Sequence, residues 1–90
     1  GTYFFTDFMV RQFDTVLVRG LGLDRYPELR DVYFKGYKRV IYFAQDLTEE
    51  MRSKAEAAAA RIGLPLEIRE LGMGALEPRL VALMEQIGAS

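Results

Sequence analysis

The start of the chain has hydrophobic residues at the spacing of a helix. Four apolar residues would lie on one side of that helix: Phe5, Phe8, Met9 and Phe13. Thr6 suits the N-cap position, and Asp7 follows it in the first turn, where the helix dipole favours an acid. The pattern therefore predicts a first helix in this region.

Three later segments have the patterns of strands. TVLV, residues 15–18, is rich in β-branched residues without a polar interruption, which predicts a short buried strand. RVIYFA, Arg39–Ala44, is a continuous apolar run after its arginine and predicts a central parallel strand covered on both faces. Residues 66–69 alternate between apolar and charged side chains, which predicts a half-exposed edge strand.

Three further helices lie around these strands. The second begins at Pro27, a residue suited to the first helical position, and ends near Gly36. The third begins after Asp46, which lies three residues before Glu49 in a pattern close to a capping box, and ends at Gly63. The last begins at Pro78, and its inward-facing residues are Leu80, Leu83, Met84 and Ile87.

The third helix has the most complete pattern. One apolar face is formed by Leu47, Met51, Ala55, Ala58 and Ile62. On another face Glu50 and Lys54 form a favourable i,i+4 pair. The run AEAAAA predicts close packing of this helix against the sheet, since alanine keeps the two backbones near each other.

The predicted order of elements is α-β-α-β-α-β-α, with connections long enough for right-handed crossovers. We therefore predict an α/β fold with a small open, mostly parallel sheet of about three strands, covered by helices in a three-layer, Rossmann-like arrangement. Residues 1–90 would form a single α/β domain or half-domain. The narrow sheet and a start at Gly1 rather than methionine favour the C-terminal part of a longer chain, or a homo-oligomer.

Composition narrows the function classes. The chain has 90 residues, of which 50% are hydrophobic and 28% charged, with a net charge of −1. That charge provides no long-range attraction to nucleic acid or to an anionic membrane, so we predict neither as a partner. No apolar run approaches the roughly eighteen residues of a membrane span, and the N-terminus lacks a signal-peptide pattern, so a cytoplasmic location is expected. The absence of cysteine and histidine excludes thiol chemistry, disulfides and a histidine base.

Candidate ligand-binding residues follow the three predicted strands. In a parallel sheet, ligands bind beyond the carboxyl ends of the strands. The residues expected at that edge are Gly20, Gly22, Asp24, Arg25, Gln45, Asp46, Gly72 and Gly74. Glycines there allow close approach of the backbone to a ligand and positive φ angles. No metal ligand and no cofactor is assigned to the chain.

The glycines of the first loop do not form a known phosphate motif. Gly20 and Gly22 begin a G-x-G pattern, but Arg25 occupies the position where a dinucleotide fingerprint needs its third glycine. No G-K-[ST] follows, so a phosphate-binding loop is excluded as well. A turn that leaves a strand and a loop that contacts a ligand both remain open.

Other conspicuous residues have two interpretations each. A charged stretch with two tyrosines could carry acid–base chemistry or form a solvated helix with surface ion pairs: Asp24, Arg25, Tyr26, Glu28, Arg30, Asp31 and Tyr33. An aromatic group fits core packing better than base stacking, because few basic residues accompany it: Tyr33, Phe34, Tyr37, Tyr42 and Phe43. Met73, between two glycines, would line a pocket or belong to a flexible connector.

Several short motifs resemble the C-terminal half of domain-of-unknown-function family 1638, found in bacteria and methanogenic archaea. The similar residues are Gly1-Thr2, Phe5-Thr6-Asp7, Phe13, residues 20–24, Pro27-Glu28-Leu29, Asp31, Tyr33-Phe34, Tyr37 and the strand that follows. The later stretch IGLPLEIRELGMGALEP, with Gly72 and Gly74, is similar as well. Lys35-Gly36 departs from the glycine–asparagine expected between Phe34 and Tyr37.

The resemblance implies a longer protein whose N-terminal half carries cysteine- and histidine-bearing motifs. It also implies an association with corrinoid-dependent methyl transfer. The first hypothesis is therefore a half-domain that binds a metal or corrinoid-type cofactor or another small ligand. A second hypothesis is a non-enzymatic protein–protein interaction or dimerisation module that buries the edge strand at Leu66–Glu70. A third is a self-sufficient enzyme, which would need Asp24, Asp31 or Asp46 as its base.

Overall fold

A computed structural model describes residues 8–20, 27–28 and 30–89 of the chain. Its elements are β1 (Phe8–Gln12), β2 (Thr15–Arg19), α1 (Arg30–Tyr33), β3 (Arg39–Ala44), α2 (Glu49–Ile62), β4 (Leu66–Glu70) and α3 (Leu76–Ala89). The predicted helix-start residues Phe5, Thr6 and Asp7 lie outside the described residues.

The four strands form one open sheet in the order β1-β2-β3-β4. β2, β3 and β4 are parallel to one another, and β1 pairs with β2 in the antiparallel direction. The predicted α/β fold with a mostly parallel sheet is confirmed. The predicted strand number is too low, because β1 adds a fourth strand.

The predicted first helix is wrong where the structure describes it, since Phe8–Gln12 is the strand β1. Gln12 pairs with Thr15, which leaves a two-residue turn, and Phe13 in that turn has a φ angle of 55°. Helix α3 supports this hairpin: the Gln12 side-chain amide donates to the carbonyl of Met84 at 2.8 Å. These tertiary contacts stabilise an extended conformation in a segment whose own spacing suits a helix.

Alternate residues of the strands enter two hydrophobic clusters. The first contains Val16, Val18, Val40, Tyr42 and Ala44, packed with Phe34 and with Ala55, Ala58 and Ile62 of α2. The second contains Leu17, Ile41 and Phe43, packed with Leu83 and Ile87 of α3. Since successive side chains of a strand point to opposite faces, α2 and α3 cover opposite faces of the sheet.

Helix α2 approaches the sheet closely because alanines form its inner surface. Ala55, Ala58 and Ala59 are all buried, which confirms the prediction for the alanine run. Gly63 ends the helix with a φ of 87°, and its N–H donates to the carbonyl of Ala59 at 2.8 Å. The predicted stop at Gly63 is therefore also confirmed.

The beginning of α2 differs from the prediction. The N-cap is Thr48, whose hydroxyl oxygen accepts a hydrogen bond from the Met51 N–H at 3.2 Å. Asp46 is exposed and lies two residues before this position, so its assignment as the cap is wrong. The predicted pair on the helix surface is present, with Lys54 Nζ 3.9 Å from Glu50 Oε2.

The remaining helices follow the predictions with shifted boundaries. Pro27–Glu28 forms a short 3₁₀ turn before α1, and the chain then turns at Gly36, which has a φ of 88°. That left-handed conformation suits glycine, so the turn forms with Lys35-Gly36 in place. Helix α3 starts two residues before Pro78, which lies in the first turn, where its missing N–H removes no helical bond.

No helix in the part of the chain that the structure describes combines the length and the apolarity needed to cross a membrane.

Candidate functional site

The parallel strands bring three loops to one edge of the sheet. β2 ends at Arg19, β3 at Ala44 and β4 at Glu70, and the paired strands run in the same direction. The Leu71 N–H donates to the carbonyl of Ala44 at 2.8 Å, which extends the pairing one residue beyond β4. Ligands of open α/β sheets bind at this carboxyl edge, so it is the natural place to look for a site.

Gln45 connects two of these loops. Its side-chain amide nitrogen donates to the carbonyl oxygen of Gly72 at 3.0 Å and to that of Gly74 at 2.9 Å. One side chain after β3 therefore holds the loop between β4 and α3 at two points. Three of the residues predicted to meet at this edge, Gln45, Gly72 and Gly74, are in direct contact.

The predicted site missed Arg79, the fourth residue of α3. Its guanidinium lies over residues 72–74, which we call the glycine loop. A Cβ added to Gly72 would be 2.9 Å from Arg79 Nη1, and one added to Gly74 would be 3.2 Å from Nη2. Because both positions are glycine, no Cβ atom displaces the Arg79 side chain from this place. Helical side chains lean towards the helix N-terminus, which is the sequence signal that places Arg79 over the preceding loop.

Arg79 faces solvent beside this loop. Its side chain is exposed, and none of the ion pairs among the described residues involves it. It lines a hollow of about 200 Å³ between the end of β4 and α3, together with Leu71, Gly72, Leu83 and Gln86. Arg69 and Glu70 also border this hollow, so its rim carries both signs of charge.

Gly20 lies at the same edge but is part of the core. It is buried with a φ of 114°, and its carbonyl accepts a hydrogen bond from the Tyr42 hydroxyl at 3.3 Å. For Gly20 this contact fits the alternative that the loop begins as a turn leaving the strand. Gly22, Asp24 and Arg25 lie outside the described residues, so their part in the site stays a prediction.

The two other predicted residues of interest at this edge are exposed. Asp46 follows Gln45, and the hydrogen bonds that hold the glycine loop come from Gln45 rather than from Asp46. Met73 has 73% of its surface exposed and is absent from the lining of the hollow. The structure thus gathers Gln45, Gly72, Gly74 and Arg79 into one cluster, with Asp46 and Met73 beside it.

The charged stretch before and within α1 has the character of a solvated surface. Glu28, Arg30 and Asp31 are exposed, and Arg30 Nε lies 3.8 Å from Asp31 Oδ1. Exposed pairs of this kind contribute less than about 1 kcal/mol to stability. The aromatic group is core: Phe34, Tyr42 and Phe43 are buried, while Tyr33 and Tyr37 pack against the first cluster.

The side chains of the described residues do not gather into a metal centre. The chain contains no imidazole or thiolate, the ligands that transition metals prefer, so only oxygen ligands are available from its side chains apart from methionine sulfur. Within residues 8–20, 27–28 and 30–89, no group of three or more acidic side chains is arranged to hold a metal ion.

The comparisons with known proteins identify the family. A family model described as "Protein of unknown function (DUF1638)" matches residues 1–80, and the chain belongs to this family. No curated protein and no solved structure matches the sequence.

Proposed function

We propose that the carboxyl edge of the sheet binds a small anionic ligand through Arg79 and the glycine loop at residues 72–74. The observation that carries this proposal is the exposed Arg79 guanidinium lying over a loop that Gln45 holds at two carbonyls. Arginine presents several N–H donors in one plane and suits carboxylate and phosphate groups.

The loop also supplies backbone donors. In a trans peptide the carbonyl and the following N–H point in opposite directions. Because Gln45 binds the carbonyls of Gly72 and Gly74, the N–H groups of Met73 and Ala75 point away from it. Neither N–H takes part in the loop hydrogen bonds among the described residues, and both lie just before the N-terminus of α3, where the helix dipole favours a negative charge.

The surrounding charges favour a ligand with one small anionic group. Glu70 borders the hollow, and Glu77 lies in the first turn of α3. These carboxylates oppose a highly charged ligand such as a polyphosphate. A carboxylate or a single phosphate group matches one arginine and a few backbone donors.

The chain is proposed to act as the C-terminal half-domain of a longer, three-layer Rossmann-like protein. Gly22, Asp24, Arg25 and Asp46 are proposed to contribute from the neighbouring loops. The metal or corrinoid-type cofactor that the family resemblance implies stays a prediction, and no catalytic residue is proposed. The cytoplasmic location and the lack of nucleic-acid and membrane partners stay predictions from the sequence.

The test is a titration of the ¹⁵N-labelled chain with sodium phosphate and, separately, sodium acetate, followed by amide NMR spectra. We expect shifts of the Gly72, Met73, Gly74 and Ala75 amides and of the Gln45 side-chain amide. Arg79→Gln should weaken binding by about tenfold or more, because a hydrogen bond to a charged group contributes about 1.5–3 kcal/mol.

Arg61→Gln is the matched control, since Arg61 is an exposed arginine in the last turn of α2, away from the glycine loop. It removes the same charge and should leave the titration unchanged. Equal weakening in both variants would reveal a response to net charge alone. That result, or the absence of shifts in the loop, would contradict the proposal.

The second candidate function is an interaction module. It is favoured by β4, an outer strand of the sheet whose first four residues are half-buried.

A further inference from the structure

We infer that the chain forms a symmetric homodimer in which β4 pairs antiparallel with β4 of a second copy, with Ile68 opposite Ile68. The inference does not depend on the proposed anion site, which lies at the carboxyl edge. It rests on the direction of the backbone groups of β4, on the charges along the strand and on the open groove beside it.

The outer edge of β4 has backbone groups ready for pairing. The Val40 N–H binds the Pro65 carbonyl at 2.9 Å, and the Leu71 N–H binds the Ala44 carbonyl at 2.8 Å, so odd-numbered residues of β4 face β3. Backbone directions alternate along a strand, which turns the N–H and carbonyl groups of Leu66, Ile68 and Glu70 outwards. In the described part of the chain no strand lies beyond β4.

Charge selects one register. A two-fold axis at Glu67 would place two carboxylates directly opposite each other, and an axis at Arg69 would do the same with two guanidinium groups. An axis at Ile68 instead places each Glu67 opposite Arg69 of the other copy. Opposite charges across an antiparallel pair stabilise it and like charges destabilise it, so the strand is complementary to itself in this register alone among the three.

The same register agrees with the geometry of an antiparallel pair. Ile68 faces Ile68, and Leu66 faces Glu70, as pairs whose outward backbone groups bind each other. Glu67 and Arg69 then occupy the alternate pairs, in which side chains lie closer together. Within one chain these two residues already form an ion pair, with Arg69 Nη1 2.8 Å from Glu67 Oε2. Arg39 Nη1 of β3 also lies 3.6 Å from Glu67 Oε1, so the dimer would join the charged groups of both copies into a network of six charges.

A groove beside β4 leaves room for the second copy. It has a volume of about 470 Å³, and its apolar lining consists of Ala59, Ala60, Leu64, Leu66 and Ile68. Leu66 and Ile68 are half-buried and lie on the α2 face of the sheet. An axis perpendicular to the sheet at Ile68 keeps both α2 helices on the same face, so the two grooves adjoin along the pair of Ile68 side chains.

Charges on an outer strand can also serve to prevent pairing. Lysine and proline are typical of strands protected in this way. β4 has the sequence LEIRE, with both signs and no lysine or proline. Pro65 precedes the strand, and its carbonyl faces β3. The arrangement therefore favours pairing with its own copy over protection from it.

The test measures the mass of the 90-residue chain by sedimentation over a range of concentrations. We expect a concentration-dependent species of twice the 10.3 kDa chain mass. Glu67→Arg and Arg69→Glu should each raise the dimer dissociation constant by roughly tenfold or more, because each places like charges opposite one another at two positions. Circular dichroism checks that both variants fold, and Glu85→Arg on the exposed surface of α3 is the matched charge control.

The decisive sample is an equimolar mixture of the two single variants. In a mixed dimer the arginine introduced by E67R would face the glutamate introduced by R69E. The unchanged Arg69 of the first copy would face the unchanged Glu67 of the second, so dimers should return in the mixture at a concentration where each variant alone is monomeric. The double variant E67R/R69E should form dimers by itself. A strictly monomeric chain, dimers that the single variants leave unchanged, or a mixture that stays monomeric would overturn the inference.

Discussion

β3 and β4 are adjacent parallel strands that meet solvent in opposite ways. Every residue of β3 after Arg39 is buried, and its side chains enter both hydrophobic clusters. β4 alternates apolar and charged residues, and none of its residues is fully buried. The two strands therefore have different roles. β3 packs against helices on both faces of the sheet, while β4 is an outer strand with partly exposed side chains.

The first prediction compares one substitution in the two strands. Ile41→Ala in β3 should lower the free energy of unfolding by about 2–5 kcal/mol, because it leaves a cavity among fully buried side chains. Ile68→Ala in β4 should cost less, about 1–2 kcal/mol, because the side chain is only partly buried in the monomer. Urea unfolding at a low protein concentration, where dimers are absent, measures both.

Equal losses for the two isoleucines would contradict the comparison, because they would show that the outer strand is packed as tightly as the central one.

The second prediction uses the alanines of α2 to sharpen the contrast. Ala58 packs into the first cluster, so Ala58→Leu should destabilise the protein by about 1–3 kcal/mol through overpacking. Ala60 is exposed and lines the groove beside β4, so Ala60→Leu should change stability by less than about 0.5 kcal/mol. Thermal and urea unfolding of the two variants provide the measurement.

If leucine is tolerated equally well at both positions, close packing of α2 over the sheet is not what the alanines provide.

The smallest expected effect concerns the connection from β3 to α2. Thr48→Ala should cost about 1 kcal/mol, because it removes the acceptor for the Met51 N–H. Asp46→Ala should change stability by less than about 0.5 kcal/mol, since Asp46 is exposed and is not the N-cap. Urea unfolding of both variants distinguishes them, and the reverse order of effects would restore Asp46 as the cap.

Sequence reasoning was most successful where the signal is local. The apolar run of β3, the alternation of β4 and the glycine after α2 each predicted its element from the residues of that segment alone. The meeting of Gln45 with Gly72 and Gly74 also followed, because parallel strands bring their carboxyl ends to one edge. Arg79 was missed: its lean towards the N-terminus of α3 follows from helix geometry, but which loop residues it covers depends on how α3 leaves the sheet.

The sequence by itself determined which segments are buried, because the spacing of apolar residues over a few helical turns or strand positions indicates the buried side of an element. The tertiary structure alone decided the first strand. Its residues fit a helix, and the turn at Phe13 has no glycine or asparagine to predict a hairpin. Pairing with β2 across the two-residue turn and the hydrogen bond from Gln12 to Met84 of α3 stabilise the strand, and Met84 lies 72 residues away along the chain.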